Sequence, residues 1–205
     1  MLSYYSMPIS AYFISEGAMA LYLINQANQD ANGQYSVDKL LSMVVTFSNL
    51  LKDEQLNYGF EVAQGDIDLS KVKSRVKFFT DSSVIKLSDD NQKVLLMDND
   101  FGKGTLKYGA HLIMPLIDTY IVVLLTIDAI CGKNIVMNQK TLVKELHTTF
   151  KTLYTEDKLI PYLASCIKDI SKTAISRFTD MGLVQAQMYL GNTGTQTVYL
   201  QSPAE

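Results

Sequence analysis

The segment that decides the fold is AHLIMPLIDTYIVVLLTIDAIC, residues Ala110 to Cys131, the most apolar stretch of the chain and close to its midpoint. It is long enough to cross a bilayer, which takes about 20 consecutive apolar residues. Two acids, Asp118 and Asp128, lie inside it, and acids at mid-membrane are energetically costly. On one helix these acids lie about 80° apart around the axis, so they can share a polar edge. The pattern favours a buried core helix, with a membrane-embedded helix as the alternative.

The composition is that of a folded intracellular protein. Of the 205 residues, 47% are hydrophobic, which suffices for the core of one domain or of two small ones. A net charge of -3 and a pI of about 5.4 argue against a protein that mainly neutralises nucleic-acid phosphate, because such domains carry a basic excess. Cys131 and Cys166 lie in apolar contexts without CxxC spacing, which indicates reduced, buried thiols.

The first residues do not resemble a targeting segment. No positively charged region precedes their apolar part, and Glu16 interrupts it. Because the chain begins within what reads as a structural element, we expect a fragment of a longer protein or a subunit that has lost a preceding domain.

Apolar periodicity divides the first half into three helices and a hairpin. A polar loop is expected at Asn25–Gln34, and a linker with Gly102 and Gly104 at Asp98–Lys103. The predicted helices run from Pro8 to about Ala27, from the N-cap Ser36 to Lys52–Gln55, and from Asp68 or Ser70 to Phe79, and the hairpin strands are residues 83–87 and 93–97.

The second half repeats this order. Its predicted elements are a helix through Ile130, a break at Gly132–Asn134, a helix from the N-cap Asn138 to Tyr154, a helix that begins after Thr155, includes Pro161 and ends near Thr179 or Asp180 before Gly182, and strands at 187–190 and 196–200. The predicted fold is mostly α with two small β-hairpins. It forms two tandem winged-helix-like modules, residues 1–100 with a hairpin at 84–97 and residues 105–200 with a hairpin at 187–200.

Short matches between the halves indicate an internal repeat. Coincidence among common residue types is the alternative. If the repeat is real, the central stretch is the first helix of the second module. The matches are Thr46–Leu56 with Thr149–Leu159 at an offset of 103 residues, Phe79-Thr80-Asp81 with Phe178-Thr179-Asp180 at 99, Met7-Pro8 with Met114-Pro115 at 107, and the two arginines, Arg75 and Arg177, each preceded by serine.

No catalytic, cofactor-binding or metal-ligating residue is predicted. His111 and His147 are the two histidines of the chain, and neither has cysteine or carboxylate neighbours at the spacing of zinc ligands. The sequence contains no glycine-rich phosphate loop and no nucleophile elbow.

A nucleic-acid interface is a weaker alternative. A winged helix can place its third helix, here Ser70–Phe79, in the major groove. The acidic total charge and the weakly basic corresponding helix of the second module argue against it, and the basic run then marks a solvated face. The basic residues concerned are Lys71, Lys73, Arg75 and Lys77.

The opening Leu2-Ser3-Tyr4-Tyr5, followed by a helix, resembles the region just after the catalytic domain in glycerol-3-phosphate acyltransferases and their dihydroxyacetone-phosphate relatives. The resemblance extends through Ser36–Leu56, the hairpin at Val84–Met97 and Asp118-Thr119-Tyr120. Ser6-Met7 stands where bacterial members usually have Arg-Asn, which puts a phosphate-contacting role of that position in doubt.

The resemblance implies that acyl transfer depends on a His-x-x-x-x-Asp motif in an upstream domain, where the histidine acts as base. After four intervening residues, His111 is followed by Leu116 and His147 by Thr152, so no catalytic residue carries over. We therefore expect a non-catalytic role without a cofactor in glycerophospholipid synthesis, whether structural, membrane-apposed or regulatory.

The partners expected from the resemblance are an acyltransferase catalytic domain, in cis or in trans, and a membrane surface, mitochondrial or peroxisomal. The alternative is a non-enzymatic accessory subunit that docks through exposed apolar helices in a larger assembly of unrelated proteins, for which an organellar membrane is one expected location.

Overall fold

The structure is a computed structural model that describes residues 12–29, 34–57, 69–131, 137–156, 158–159, 167–183, 185–190 and 196–201. The chain divides into two compact units, residues 1–114 and 115–205. As predicted, it is mostly helical with small antiparallel sheets. The domain limits deduced from the repeat stay a prediction.

The first unit contains a three-stranded antiparallel sheet in the order β1-β3-β2. In its register, Tyr35 lies opposite Val94 and Ile85 opposite Leu96. The elements are α1 (Ile14–Gln29), β1 (Gln34–Ser36), α2 (Val37–Leu50), α3 (Lys52–Asn57), α4 (Leu69–Asp81), β2 (Ile85–Leu87), β3 (Lys93–Leu96) and the first part of α5 (Asp100–Cys131).

The described parts of the predicted helices and of the first hairpin are confirmed, but two predicted loops are wrong where they meet a helix. Helix α1 continues through Gln29, into the loop expected at Asn25–Gln34. Helix α5 begins at Asp100, inside the predicted linker, because the Asn99 side chain caps it by accepting a hydrogen bond from the Gly102 N–H at 2.6 Å. The N-cap Asn99 and the acidic first residue Asp100 therefore determine where this helix begins, although Gly102 and Gly104 follow directly.

The start of α2 agrees with the prediction, whereas two short elements of this unit were not predicted. Ser36 caps α2 as predicted, with its hydroxyl oxygen 3.4 Å from the Lys39 N–H. Helix α2 ends at Leu50, and α3 follows directly after Leu51 as a separate short helix that was not predicted. Strand β1 was also missed, because three residues with one buried side chain are too few to show alternation.

Helices α1 and α5 approach closely where both carry small residues. A Cβ atom at Gly17 would lie 2.6 Å from two side-chain carbons of Ile113 and 2.9 Å from the Gly109 carbonyl oxygen. A Cβ atom at Gly109 would lie 3.3 Å from the Ala20 Cβ. Since real Cβ atoms essentially never come within 3.0 Å of another heavy atom, the fully buried Ile113 occupies space that only a glycine at position 17 leaves open.

The same turn of α1 carries a buried carboxylate. Glu16 is 7% exposed, and its Oε1 lies 3.0 Å from Arg75 Nε on α4, while Oε2 has no hydrogen-bond partner. Burial raises the pKa of Glu16, and a hydrogen bond with its own backbone and the charge of Arg75 oppose this shift only in part. Arg75 therefore belongs to a half-buried ion pair, which corrects the prediction that the basic run of this helix is simply a solvated face.

The second unit contains another three-stranded antiparallel sheet, in the order β4-β6-β5. Its core includes Tyr120 edge-on to Phe178 at 5.7 Å, and the hydroxyl oxygens of Thr126 and Thr149 are hydrogen-bonded at 2.9 Å. The elements are the second part of α5, β4 (Met137–Asn138), α6 (Gln139–Thr155), α7 (Ile167–Asp180), β5 (Gln185–Leu190) and β6 (Gln196–Gln201).

The helix from Asn138 to Tyr154 and the second hairpin are confirmed, and Gly182 ends α7 with a φ of 70°. Strand β4 was missed, since two residues carry no pattern. The predicted shared edge of Asp118 and Asp128 is wrong, because Asp118 is 2% exposed whereas Asp128 is exposed. A rotation of about 80° around a helix is enough to pass from core to surface.

Some predictions fall on positions outside the described residues. They are Pro8 in the first helix, the break at Gly132–Asn134, Pro161, and the side chains of Cys131 and Cys166. The predicted start of the last helix directly after Thr155 is wrong, because Lys158 and Leu159 are not helical and the Lys158 N–H donates to the Leu153 carbonyl oxygen at the end of α6.

We predict that Gly17→Ala destabilises the protein by about 1–3 kcal/mol, because the new methyl group meets Ile113 and a backbone oxygen in a packed contact. The matched control is Gly104→Ala, also within a helix, where a Cβ meets nothing within 4 Å. It should gain about 0.5–1 kcal/mol from helix propensity. Urea unfolding of both variants measures the difference, and equal effects would contradict the close contact.

We also predict a pH-dependent difference in stability between the wild type and Glu16→Gln. Because the folded-state pKa of Glu16 is raised above its ordinary value of 4.5, the folded protein holds this proton more tightly than the unfolded chain. The wild type should therefore gain stability relative to Glu16→Gln as pH falls from neutral through the folded-state pKa. Urea unfolding over this range measures the gain, and removal of the Arg75 charge by Arg75→Ala should move it to higher pH. A constant difference between the wild type and Glu16→Gln would contradict the assignment.

Candidate interaction surface

Each of the two histidines lies on the surface of its own unit. Both are exposed, and the Nδ1 of His111 lies 2.8 Å from the Lys107 carbonyl oxygen, so it donates a hydrogen bond within α5. Within the ranges that the structure describes, no group of three His, Cys, Asp or Glu side chains could hold a metal ion.

Helix α4 offers less free positive charge than its sequence indicates. Arg75 pairs with Glu16, and Lys77 Nζ lies 2.6 Å from Asp81 Oδ2, one turn along the same helix. The side chains of Lys71 and Lys73 lie outside the described residues. A nucleic-acid interface depends on cations that can neutralise phosphates, and two of the four candidate cations already have acidic partners.

Helix α5 leaves one apolar face uncovered in the second unit. Ile121, Leu124 and Leu125 are 42%, 44% and 43% exposed, and their spacing places them on one side of the helix. We call these three residues the apolar stripe. Single exposed apolar residues are common on protein surfaces, but three adjacent ones on a helix form a contiguous patch.

Polar groups on the covered side of α5 are satisfied by hydrogen bonds. Thr119 donates to the Pro115 carbonyl oxygen at 3.1 Å, and Thr126 donates to the Val122 carbonyl oxygen at 2.7 Å while its hydroxyl oxygen also lies within hydrogen-bond distance of the Thr149 hydroxyl. Proline at position 115 has no N–H for the helical hydrogen bond to the carbonyl four residues earlier. Both buried threonines on the covered side of α5 therefore have hydrogen-bond partners within the protein, and the stripe lies on the opposite side of the helix.

By length and composition, α5 is the one helix in the described part of the chain that could cross a membrane. Within Asp100–Ile130, an 18-residue window reaches a mean hydropathy of 1.9, and 61% of that window is buried within the protein. A mostly buried window is typical of a core helix, in agreement with the interpretation favoured from the sequence.

The first unit has a second candidate surface, a cavity of about 260 Å³ between α1, the sheet and the start of α5. Ile24, Leu96 and Leu106 supply its apolar lining. At its edge, Lys103 Nζ lies 2.5 Å from Asp98 Oδ1. This hydrogen bond and the attraction between the charges lower the pKa of Asp98 and raise that of Lys103.

Sequence reasoning drew attention to the central segment but missed this cavity. The cavity is built from four separate stretches of chain, so no local pattern indicates it. The stripe was foreseen only as an open question about how much of the apolar face is covered.

Comparison with known proteins identifies the family. A family model described as the glycerol-3-phosphate acyltransferase C-terminal region matches residues 1–187. Comparison with curated proteins gives no match. The family match covers all of the first sheet, part of the second and all of the described helices, and it agrees with the resemblance seen at the N-terminal tyrosine pair. The chain therefore belongs to the family of glycerol-3-phosphate acyltransferase C-terminal regions.

Proposed function

We propose that this chain is a non-catalytic C-terminal region that works with an acyl-transferring catalytic domain, supplied in cis or in trans. The observation that carries the proposal is the match of residues 1–187 to a C-terminal region of glycerol-3-phosphate acyltransferases. The sequence supports it, because neither histidine of the chain is followed by aspartate at the spacing of the family's acid–base motif. Its role is then to position or stabilise the domain that performs acyl transfer to glycerol 3-phosphate.

The apolar stripe is the contact surface in this proposal. Full burial of a large aliphatic side chain is worth about 1.5–3 kcal/mol. Completing the burial of three side chains that are each somewhat over 40% exposed adds on the order of 2–4 kcal/mol. Such a contribution is sufficient for a hot spot within a larger interface, although an interface needs further contacts around it.

The charge next to the stripe favours a protein partner over a bilayer. Asp128 is exposed one turn after Leu124 and Leu125 on the same side of α5. A carboxylate is costly in hydrocarbon and is repelled by anionic lipid surfaces. A protein surface can instead provide a basic group opposite it, so we assign the stripe to the catalytic domain.

We predict that Leu124→Glu weakens binding of this chain to a separately produced glycerol-3-phosphate acyltransferase catalytic domain from the same source by about tenfold or more. The new carboxylate would be buried against apolar surface without a partner. Isothermal titration calorimetry measures the affinity. The matched control is Leu183→Glu, a leucine that is 50% exposed outside the stripe and should leave the affinity unchanged.

Equal losses in both variants, or no binding by the wild type, would overturn the docking role. A third outcome is binding of the wild type, but not of Leu124→Glu, to vesicles of neutral phospholipid. It would assign the stripe to a bilayer and contradict the proposal. Circular dichroism of each variant checks that the helical content is retained.

We further propose that both units are winged-helix-like modules derived from one ancestral module. Both sheets share one strand order, in which the short first strand pairs with the last. The residue that ends this first strand is Ser36 in one unit and Asn138 in the other, both directly ahead of a helix. The helix before the hairpin also ends in the same way in both units, because it is followed by a residue with positive φ. This residue is Ser83 in the first unit, with a φ of 55°, and Gly182 in the second, with a φ of 70°.

The hydrogen bonds at these two helix ends support the same alignment. Thr80 and Thr179, which belong to the matched Phe-Thr-Asp triplets, each donate to the carbonyl oxygen four residues earlier. In this alignment Arg75 corresponds to Ala174 rather than to Arg177, so the two Ser-Arg pairs are not equivalent positions. Superposition of the two units in an experimental structure tests the common origin, and different strand orders would contradict it.

A further inference from the structure

We propose that the cavity of the first unit binds a small anionic amphiphile, a medium-chain carboxylate or alkyl phosphate, with its tail inside and its head group at Lys107. The inference goes beyond the proposed function, because it rests on the first unit alone and does not need the stripe or a catalytic domain. The shared chemistry is an unbranched apolar tail that ends in one anionic group.

The interior of the cavity suits an apolar tail. Ile24 of α1, Leu96 of β3 and Leu106 of α5 line it from three different elements, and Leu106 is 4% exposed. Tyr35 of β1, which is also buried, adds an aromatic side chain to the lining. Ligand sites in proteins are concave and mostly apolar, with a few polar groups that fix orientation, and this lining has that character.

The edge of the cavity selects an anion. It carries two lysines one turn apart on α5, Lys103 and Lys107, and one acid, Asp98. Asp98 is already paired with Lys103, and Asp100 also attracts Lys103, so the cation left for an anionic ligand is Lys107. Lys107 is exposed and has no ion-pair partner within the described part of the chain. It can therefore accept an anionic head group without losing another contact.

The volume limits the size of the tail. About 260 Å³ is slightly less than the roughly 300–1,000 Å³ of pockets that hold drug-sized ligands. A tail of medium length fits this space, whereas the chain of a long fatty acid would extend into solvent.

The test is isothermal titration calorimetry of the full chain with sodium octanoate, octyl phosphate and octyltrimethylammonium, each below its micelle concentration. We expect both anions to bind and the cation, which has the same tail, not to bind. Lys107→Gln should weaken binding of the anions about fivefold, the size of one surface charge contact. The matched control Lys86→Gln removes an exposed lysine of β2 that does not line the cavity and should have no effect.

A second variant tests the tail site separately from the charge. Ala27 is exposed and lines the cavity, so Ala27→Phe fills the space without disturbing the core and should abolish binding. Ala129→Phe, at an exposed alanine of α5 outside the cavity, is its control. Any of three results would overturn the proposal: no binding of either anion, equal binding of the cationic amphiphile, or unchanged binding by Ala27→Phe. Preference for one anion assigns the head group as carboxylate or phosphate and supports the proposal.

Discussion

The first unit depends on the close crossing of α1 and α5 at Gly17. A single turn of α1 meets two helices, because Gly17 contacts Ile113 of α5 while the neighbouring Glu16 pairs with Arg75 of α4. The steric contact leaves no room for a side chain, and the ion pair places a charge where water is scarce. Together they define where three helices meet, and the cavity lies farther along α1, where Ile24 and Ala27 face the sheet and α5.

The buried carboxylate of Glu16 costs desolvation free energy, but its ion pair restricts how the helices pack. An ion pair taken out of water contributes little to stability by itself, since desolvation offsets the attraction. The pKa of Glu16 is raised despite the nearby arginine, which indicates that desolvation is the larger effect. The pair nevertheless restricts how α4 can pack on α1, because any other arrangement leaves Glu16 buried without its cation. The helix that suggested a nucleic-acid interface from sequence thus uses Arg75 for internal packing.

Local signals predicted most helices and both hairpins, whereas features that depend on distant residues were missed. Local interactions determine the helix cap at Ser36, the helix end at Gly182 and the turn between β2 and β3. The sequence therefore indicates the positions of all three. Strands β1 and β4 exist because they pair with strands some 60 residues later, as Tyr35 does with Val94 and Met137 with Val198. Likewise, the sequence indicated an apolar central helix, but which residues form the stripe depends on which neighbours cover the rest.

The function proposed for this chain is to support acyl transfer that takes place on another domain, and the proposal rests on family membership and the exposed stripe. The most direct test is acyl transfer to labelled glycerol 3-phosphate by the purified chain, by a glycerol-3-phosphate acyltransferase catalytic domain from the same source, and by both together. The account predicts product at the no-protein background for the chain alone, and more product for the pair than for the catalytic domain alone. Transfer above background by the purified chain would contradict it.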